Sequence, residues 1–455
     1  MNSSVKALCG ALVVGLTIAG CDDGVDDFVI PPPQPQIETT QVRFIHASPD
    51  APNVNISSIL RASARNLAYE DITDYEDFAV GPLTVQVDAI IPGGVATVIG
   101  PVDINLASGT NYSVVASGNV AGIAPIVIES SADAVDAASV RAQVLHAAPD
   151  APPVDVFVTA PGALLAQEVP LGSFAFGESL GPVEVPAGDY QIRVTLVNDP
   201  ATVVYDSGTL ALAGGSDLLI SAVANTGPGA APITLAVASD AGGFILDSLG
   251  TPAEVRVIHA SPDAPAVDVI VNDDFANPVL ANVPYPAFSD YLPLAPDTYN
   301  FKVTAAGNPG AIVIDADVDL VAGQQYSVYA TNVLAEISPL VTLDDDREVV
   351  TEAKLRILHL APGAGLVDIY LAGVGEDITT LDPTLSDVDL LADTDYLSVP
   401  GGSYDVTVTL AGTKTVAIGP ATVTLSDGSV YTAAARDATG GGAPFGLILL
   451  DDFTP

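Results

Sequence analysis

The chain has 455 residues, with 56 Asp and Glu against 13 Lys and Arg and a formal net charge of −43. Its 49% of hydrophobic residues exclude disorder throughout, and at about 100–200 residues per domain the length accommodates two to four domains. With so few cations, sequence-independent nucleic-acid binding and basic reading of anionic lipid headgroups are both excluded.

The first segment, MNSSVKALCGALVVGLTIAG, places Lys6 before an apolar run that ends in Ala19 and Gly20. The run is shorter than the roughly 20 apolar residues that span a bilayer, and it matches a secretory signal over residues 1–20. Small residues immediately before Cys21 resemble the bacterial lipobox. That resemblance implies lipidation of Cys21, which becomes an acylated N-terminus after cleavage. Cys9 leaves with the signal, so no intrachain disulfide is expected. Two or more acyl chains anchor a protein stably, so the expected partner is a membrane on which the chain sits without crossing. The expected location is the bacterial cell envelope, on its periplasmic or surface side. Residues 21–40 follow with four aspartates between 22 and 27 and prolines at 31, 32, 33 and 35, a semi-stiff acidic tether.

The rest is repetitive. VRFIHASPDAPNVNI at 42–56 returns as AQVLHAAPDAPPVDV at 142–156, VRVIHASPDAPAVDV at 255–269 and LRILHLAPGAGLVDI at 355–369. A second block follows in three copies, VPAGDYQIRV at 185–194, LAPDTYNFKV at 294–303 and VPGGSYDVTV at 399–408. A third, such as LASGTNYSVVA at 106–116 and LVAGQQYSVYA at 320–330, recurs in all four. Shared order over several blocks defines four units, 41–139, 140–252, 253–352 and 353–455. The HASPDAPxVDV stretch resembles the DUF4397 family, a bacterial domain of unknown function. The resemblance is close in units 2 and 3, whereas Asn55 replaces the VDV aspartate in unit 1 and Gly363 and Gly365 replace Asp and Pro in unit 4. It implies a domain type and an exported location, with no activity attached.

Within a unit, Tyr190-Gln191-Ile192-Arg193-Val194 and Tyr404-Asp405-Val406-Thr407-Val408 alternate apolar and polar residues at the strand period. Gly and Pro clusters punctuate such runs, which predicts an all-β chain of tandem immunoglobulin-like antiparallel β-sandwiches. Gly-x-x-Tyr-Ser at Tyr112 and Tyr326 resembles the tyrosine corner of such folds, and Leu218 breaks the pattern in unit 2. Joints are expected at 130–139, 238–252 and 344–353. The charge of the third favours a solvated connection and an extended, beads-on-a-string chain.

The four histidines of the chain, His46, His146, His259 and His359, occupy the same place in each unit. Alternation puts His259 on the face of Val255 and Val257, opposite Arg256. With Asp50, Asp150 and Asp263 in the turn that follows, an acid–base pair or ligand site is one reading. A neutral imidazole bonded to the turn is the other, and it is favoured by the rule that buried polar groups need partners. One His per unit is too few for a closed zinc site, no nucleophile recurs beside it, and no catalytic residue is assigned. Asp315, Asp317 and Asp319 share one strand face and are expected in solvent. Asp344, Asp345 and Asp346, and the acids from Asp387 to Asp395, are better placed for calcium, the one cofactor considered. The VDV aspartates 155, 268 and 368 are expected to point to solvent. The favoured function is a lipid-anchored structural or adhesive scaffold without catalysis. An envelope glycan- or ligand-binding module and a hydrolase using the His–Asp turn are the rivals.

Overall fold

The computed structural model describes residues 38–58 and 61–453. The predicted signal, the Cys21 lipidation site and the tether up to residue 37 lie outside them. In unit 1 eight strands form two sheets. They are β1 (Thr39–Ala47), β2 (Val54–Ser58), β3 (Arg61–Leu67), β4 (Glu76–Ala79), β5 (Gly81–Ile91), β6 (Gly94–Leu106), β7 (Thr110–Ser117) and β8 (Ala124–Ser131). One sheet has the order β4-β1-β7-β8 and the other β3-β2-β5-β6. The same two orders recur in each of the next three units, giving eight sheets in four sandwiches. Among the described residues there is no α-helix, and no helix long and apolar enough to cross a membrane.

Alternation builds each sandwich. In β1, Val42 and Phe44 enter the core with Val54, Ile56, Val85, Val87 and Tyr112. β5 follows the same rule, with Leu83, Val85, Val87 and Ala89 buried and the residues between them partly exposed. The predicted fold class therefore holds, with one correction to the antiparallel expectation. β1 pairs with β7 in parallel, and so do their counterparts Ser139–His146 with Asp217–Ala224, Ala253–His259 with Gln325–Thr331, and Ala353–Leu360 with Val430–Arg436. Between β1 and β7 the chain crosses to the opposite sheet and back, so β7 returns beside β1 in the same direction.

The tyrosine corner is present. The Tyr112 hydroxyl accepts the Ala107 amide at 2.9 Å, Tyr326 that of Val321 at 3.2 Å, and Tyr431 that of Ser426 at 3.1 Å.

The units are not beads on a string; the described residues form one compact body. The outer face of the β1 sheet is apolar as well as the inner one, so it has to be covered. Ile45 and Ala47 of unit 1 pack with Leu145, Ala147, Leu219 and Ala236 of unit 2. Ile258 and Ala260 of unit 3 meet Leu358, Leu360, Ala434 and Ile448 of unit 4 in the same way. The joints are structured too. The second contains a strand, Gly242–Leu246, that adds to the edge of the unit 2 sheet and lies against Ile72 of unit 1. The third, expected to be solvated, docks on unit 1. Arg347 donates to the Pro49 and Ala51 carbonyls at 3.1 and 2.7 Å, and the Val350 amide donates to the Asp50 carbonyl at 3.0 Å. Buried apolar faces and these backbone contacts outweigh the mutual repulsion of an acidic chain.

Candidate functional site

The recurring His turn is built by β1 and its counterparts, which end on the histidine and break at the prolines that follow. His259 shares its face with Val255 and Val257, as alternation predicts, and is fully buried, as are His46 and His359. Each imidazole spans the turn. Nε2 lies 3.0 Å from the Pro52 carbonyl oxygen in unit 1, 3.2 Å from Pro152 in unit 2, 3.0 Å from Pro265 in unit 3 and 2.7 Å from Gly365 in unit 4. Nδ1 accepts the amide of the residue two positions on, Ser48, Ser261 or Ala361, at 3.3–3.4 Å. An Nδ1 that accepts requires the proton on Nε2, so the ring is a neutral donor to a carbonyl. Burial pushes His46 down to about 4, against the bond to Pro52 and with help from the charge of Arg347. Burial also lowers His259.

The turn aspartates serve backbone amides elsewhere. Asp50 accepts from Val120 at 2.7 Å and Asp263 from Leu334 at 2.6 Å, each the first residue of a 3₁₀ turn. Asp150 accepts from the Asn119 side chain of unit 1 at 3.1 Å. Among the described residues no hydrogen bond or ion pair joins a motif histidine to a motif aspartate. The geometry brings together an imidazole and a turn rather than an acid and a base.

The VDV aspartates correct the sequence reading. Asp155 and Asp368 are only 5% exposed, not turned to solvent. Each clamps two loops of the second sheet. Asp268 accepts Asn282 at 2.7 Å and Gly307 at 2.8 Å, and Asp368 accepts Asp387 and Gly412 at 2.9 Å. Asp155 takes the Ser173 hydroxyl and the Asn198 amide. Outward alternation is correct, but the hairpin turn curls back over that face and covers it.

Of the calcium candidates, Asp344 is claimed by the protein's own cations. Its side chain, 2% exposed, lies between Arg356 at 2.9 Å and Arg256 at 3.3 Å, and it accepts the Tyr291 hydroxyl at 2.6 Å. Arg256 also meets Asp451 and Arg356 meets Asp393. Burial disfavours the Arg256 charge, but the carboxylates of Asp451 and Asp344 outweigh it and raise its pKa. Asp345 pairs with Lys354 at 2.8 Å. Asp315, Asp317 and Asp319 are exposed, as predicted, and bond Asn300, Lys302 and Thr298. Among the described residues no group of three or more His, Cys, Asp or Glu could hold a metal ion.

Two features were not legible in the sequence. Beside His46 stands Tyr69, edge-on with centroids 6.2 Å apart, whose hydroxyl donates to the Ala224 carbonyl of unit 2 at 2.6 Å. Beside His259, at 5.9 Å, Tyr285 donates to the Asp437 carbonyl of unit 4, also at 2.6 Å. The amides of His46, His146, His259 and His359 bond the carbonyls of Asp71, Glu178, Ala287 and Ala392. That pairing puts Phe176 and Leu390 at the tyrosine position in units 2 and 4, where no hydroxyl is available. Odd units donate and even units accept. The second feature is an open cavity of about 410 Å³ where units 1, 2 and 3 meet the third joint, lined by Glu70, Asn225, Asp247, Gly323, Gln325 and Asp346, among others.

No curated protein matches the chain. The family described as "Domain of unknown function (DUF4397)" matches residues 40–157, 143–243 and 253–370. The matches begin within a few residues of β1, of Ser139–His146 and of Ala253–His259, and two of them run on into the second strand of the following sandwich. They cover well over half of its length, and the chain belongs to the DUF4397 family.

Proposed function

We propose that this protein is a lipid-anchored, non-catalytic scaffold of the bacterial cell envelope, with 353–455 as a fourth DUF4397 module. The observation that carries the non-catalytic reading is the use of the motif side chains. All four imidazoles are spent on carbonyls of their own turns, and the turn and VDV aspartates on amides and side-chain donors of the fold. In units 1, 3 and 4 both ring nitrogens are engaged, and in unit 2 the unpartnered Nδ1 of His146 is buried, so none of the four rings presents a proton-accepting atom to a substrate in solvent. Anchoring rests on the order of Lys6, the apolar run, Ala19-Gly20 and Cys21. The Pro-rich segment would then hold the acidic body off the membrane.

The test is metabolic labelling with an alkyne fatty acid in a bacterial host, followed by membrane fractionation. The chain should take up label and sediment with membranes, and Cys21→Ala should abolish both. A labelled C21A chain, or an unlabelled and soluble parent, contradicts the proposal. A second reading, binding of an envelope glycan, is favoured by the cavity, whose carboxylates and amides suit sugar hydroxyls. Glycan-array binding by the purified protein that is lost on Asn225→Leu would support it.

A further inference from the structure

The three-unit cavity has an unbalanced charge. Five carboxylates line it: Glu70 from unit 1, Asp247 from the second joint, and Asp344, Asp345 and Asp346 from the third. Asp344 and Asp345 are matched to Arg256, Arg356 and Lys354. Among the described residues Glu70, Asp247 and Asp346 have no ion pair. Glu70 accepts the Thr234 hydroxyl of unit 2 at 2.7 Å, so it sits on the seam between units 1 and 2. Asp247 sits on the seam with unit 3. A Cβ on Gly323 would lie 3.0 Å from Asp247 Oδ2, and one on Gly227 would lie 2.9 Å from the Gly323 carbonyl. Backbone of units 2 and 3 thus meets directly over the carboxylate.

We propose that this cavity is a proton-operated latch: with Glu70 neutral the three units close on one another, and with Glu70 ionised beside Asp247 the loop 321–325 of unit 3 lifts away from Asp247 and Gly227. The groups facing Glu70 are Asp247, Asp71 on its own loop, the hydroxyls of Tyr69 and Thr234, and a single cation, Arg347. Arg347 is already engaged by the Pro49 and Ala51 carbonyls and stacks over Tyr69 at 5.5 Å, and His46 beside it is neutral. Asp247 faces Tyr205, whose hydroxyl is bonded to backbone carbonyls. Burial raises both carboxyls, with Asp247 and Asp71 adding to the effect at Glu70, which reaches about 7 despite Thr234 and Arg347. The closed form therefore holds more protons than the open one, and closure weakens as pH rises through about 7.

Hydrogen exchange of the full chain between pH 5.5 and 8.5, corrected for intrinsic rates, tests the latch. Opening of 321–325 and of 225–227 should increase by ~10-fold across that range, while the strand 353–360 of unit 4 stays unchanged. Glu70→Gln should remove most of the dependence. Asp247→Asn should move its midpoint down, because it deletes the repelling neighbour. A flat parent profile, an E70Q profile as steep as the parent's, or a uniform change that includes 353–360 overturns the proposal. If E70Q fails to fold, the D247N midpoint decides, and an unmoved midpoint overturns it.

Discussion

Gly363 and Asp437 exchange the roles that the turn residues play elsewhere. Where units 1 and 3 carry Asp50 and Asp263, unit 4 has a glycine whose amide donates to both carboxylate oxygens of Asp437, at 3.1 and 3.2 Å. Asp437 is 1% exposed and also takes the Gly442 amide at 2.7 Å. The carboxylate has moved from the turn to the segment facing it, and the brace survives.

Restoring the consensus aspartate should therefore harm unit 4. A Cβ on Gly363 would lie 2.8 Å from Asp437 Oδ2, and the new carboxylate would be forced against the buried one. Gly363→Asp is expected to cost about 3–5 kcal/mol in urea unfolding, and Asp437→Gly in the same chain should recover part of it. No loss in G363D would contradict the exchange.

Asp344 holds two buried guanidiniums together. Asp344→Asn keeps its size but leaves Arg256 and Arg356 facing one another, so a loss of about 3–5 kcal/mol is expected. Asp345→Asn, whose carboxylate is 53% exposed, should cost less than about 1 kcal/mol by the same measurement. Equal losses would show that Asp344 is not the centre of the contact.

The odd-to-even pairing can be weighed with single oxygen atoms. Tyr69→Phe and Tyr285→Phe each delete one hydroxyl and strand one carbonyl, and each should cost about 1 kcal/mol. The two bonds join different pairs of units, so the double variant should show the sum. A loss in Y69F of less than about 0.3 kcal/mol would deny the contact a role.

The buried imidazoles should set the acid limit of stability. His46 is lowered from 6.5 to about 4, so the folded state takes up protons less readily than the unfolded one. Its contribution is complete above about 6.5 and is lost as pH falls through about 4. His46→Gln should flatten melting temperature against pH over that window, whereas an unchanged acid limb would contradict the assignment.

Several of these relationships could be read in the residues. Alternation alone placed His259 with Val255 and Val257, and Gly-x-x-Tyr-Ser marked the tyrosine corner at Tyr112 and Tyr326. What eluded the sequence depends on partners distant along the chain. Arg256 sits opposite the core as expected, yet that face is closed by unit 4, because Ile258 and Ala260 beside it are apolar too. Asp344 looked like an oxygen ligand in a solvated joint, since nothing local shows that two arginines converge on it. Asp368 alternates outward, but Asp387 and Gly412 fold over it. The Tyr69 hydroxyl, 155 residues from Ala224, carries no local signal at all.

The histidine turn is the element shared by all four units, and its protonation state decides between brace and catalyst. Long-range proton–nitrogen correlation spectra of the histidine-labelled chain near pH 7 report it directly. The structure predicts His46, His259 and His359 as neutral rings with the proton on Nε2 and a bare, hydrogen-bonded Nδ1. A charged ring, or a proton on Nδ1 that exchanges freely with water, would contradict it.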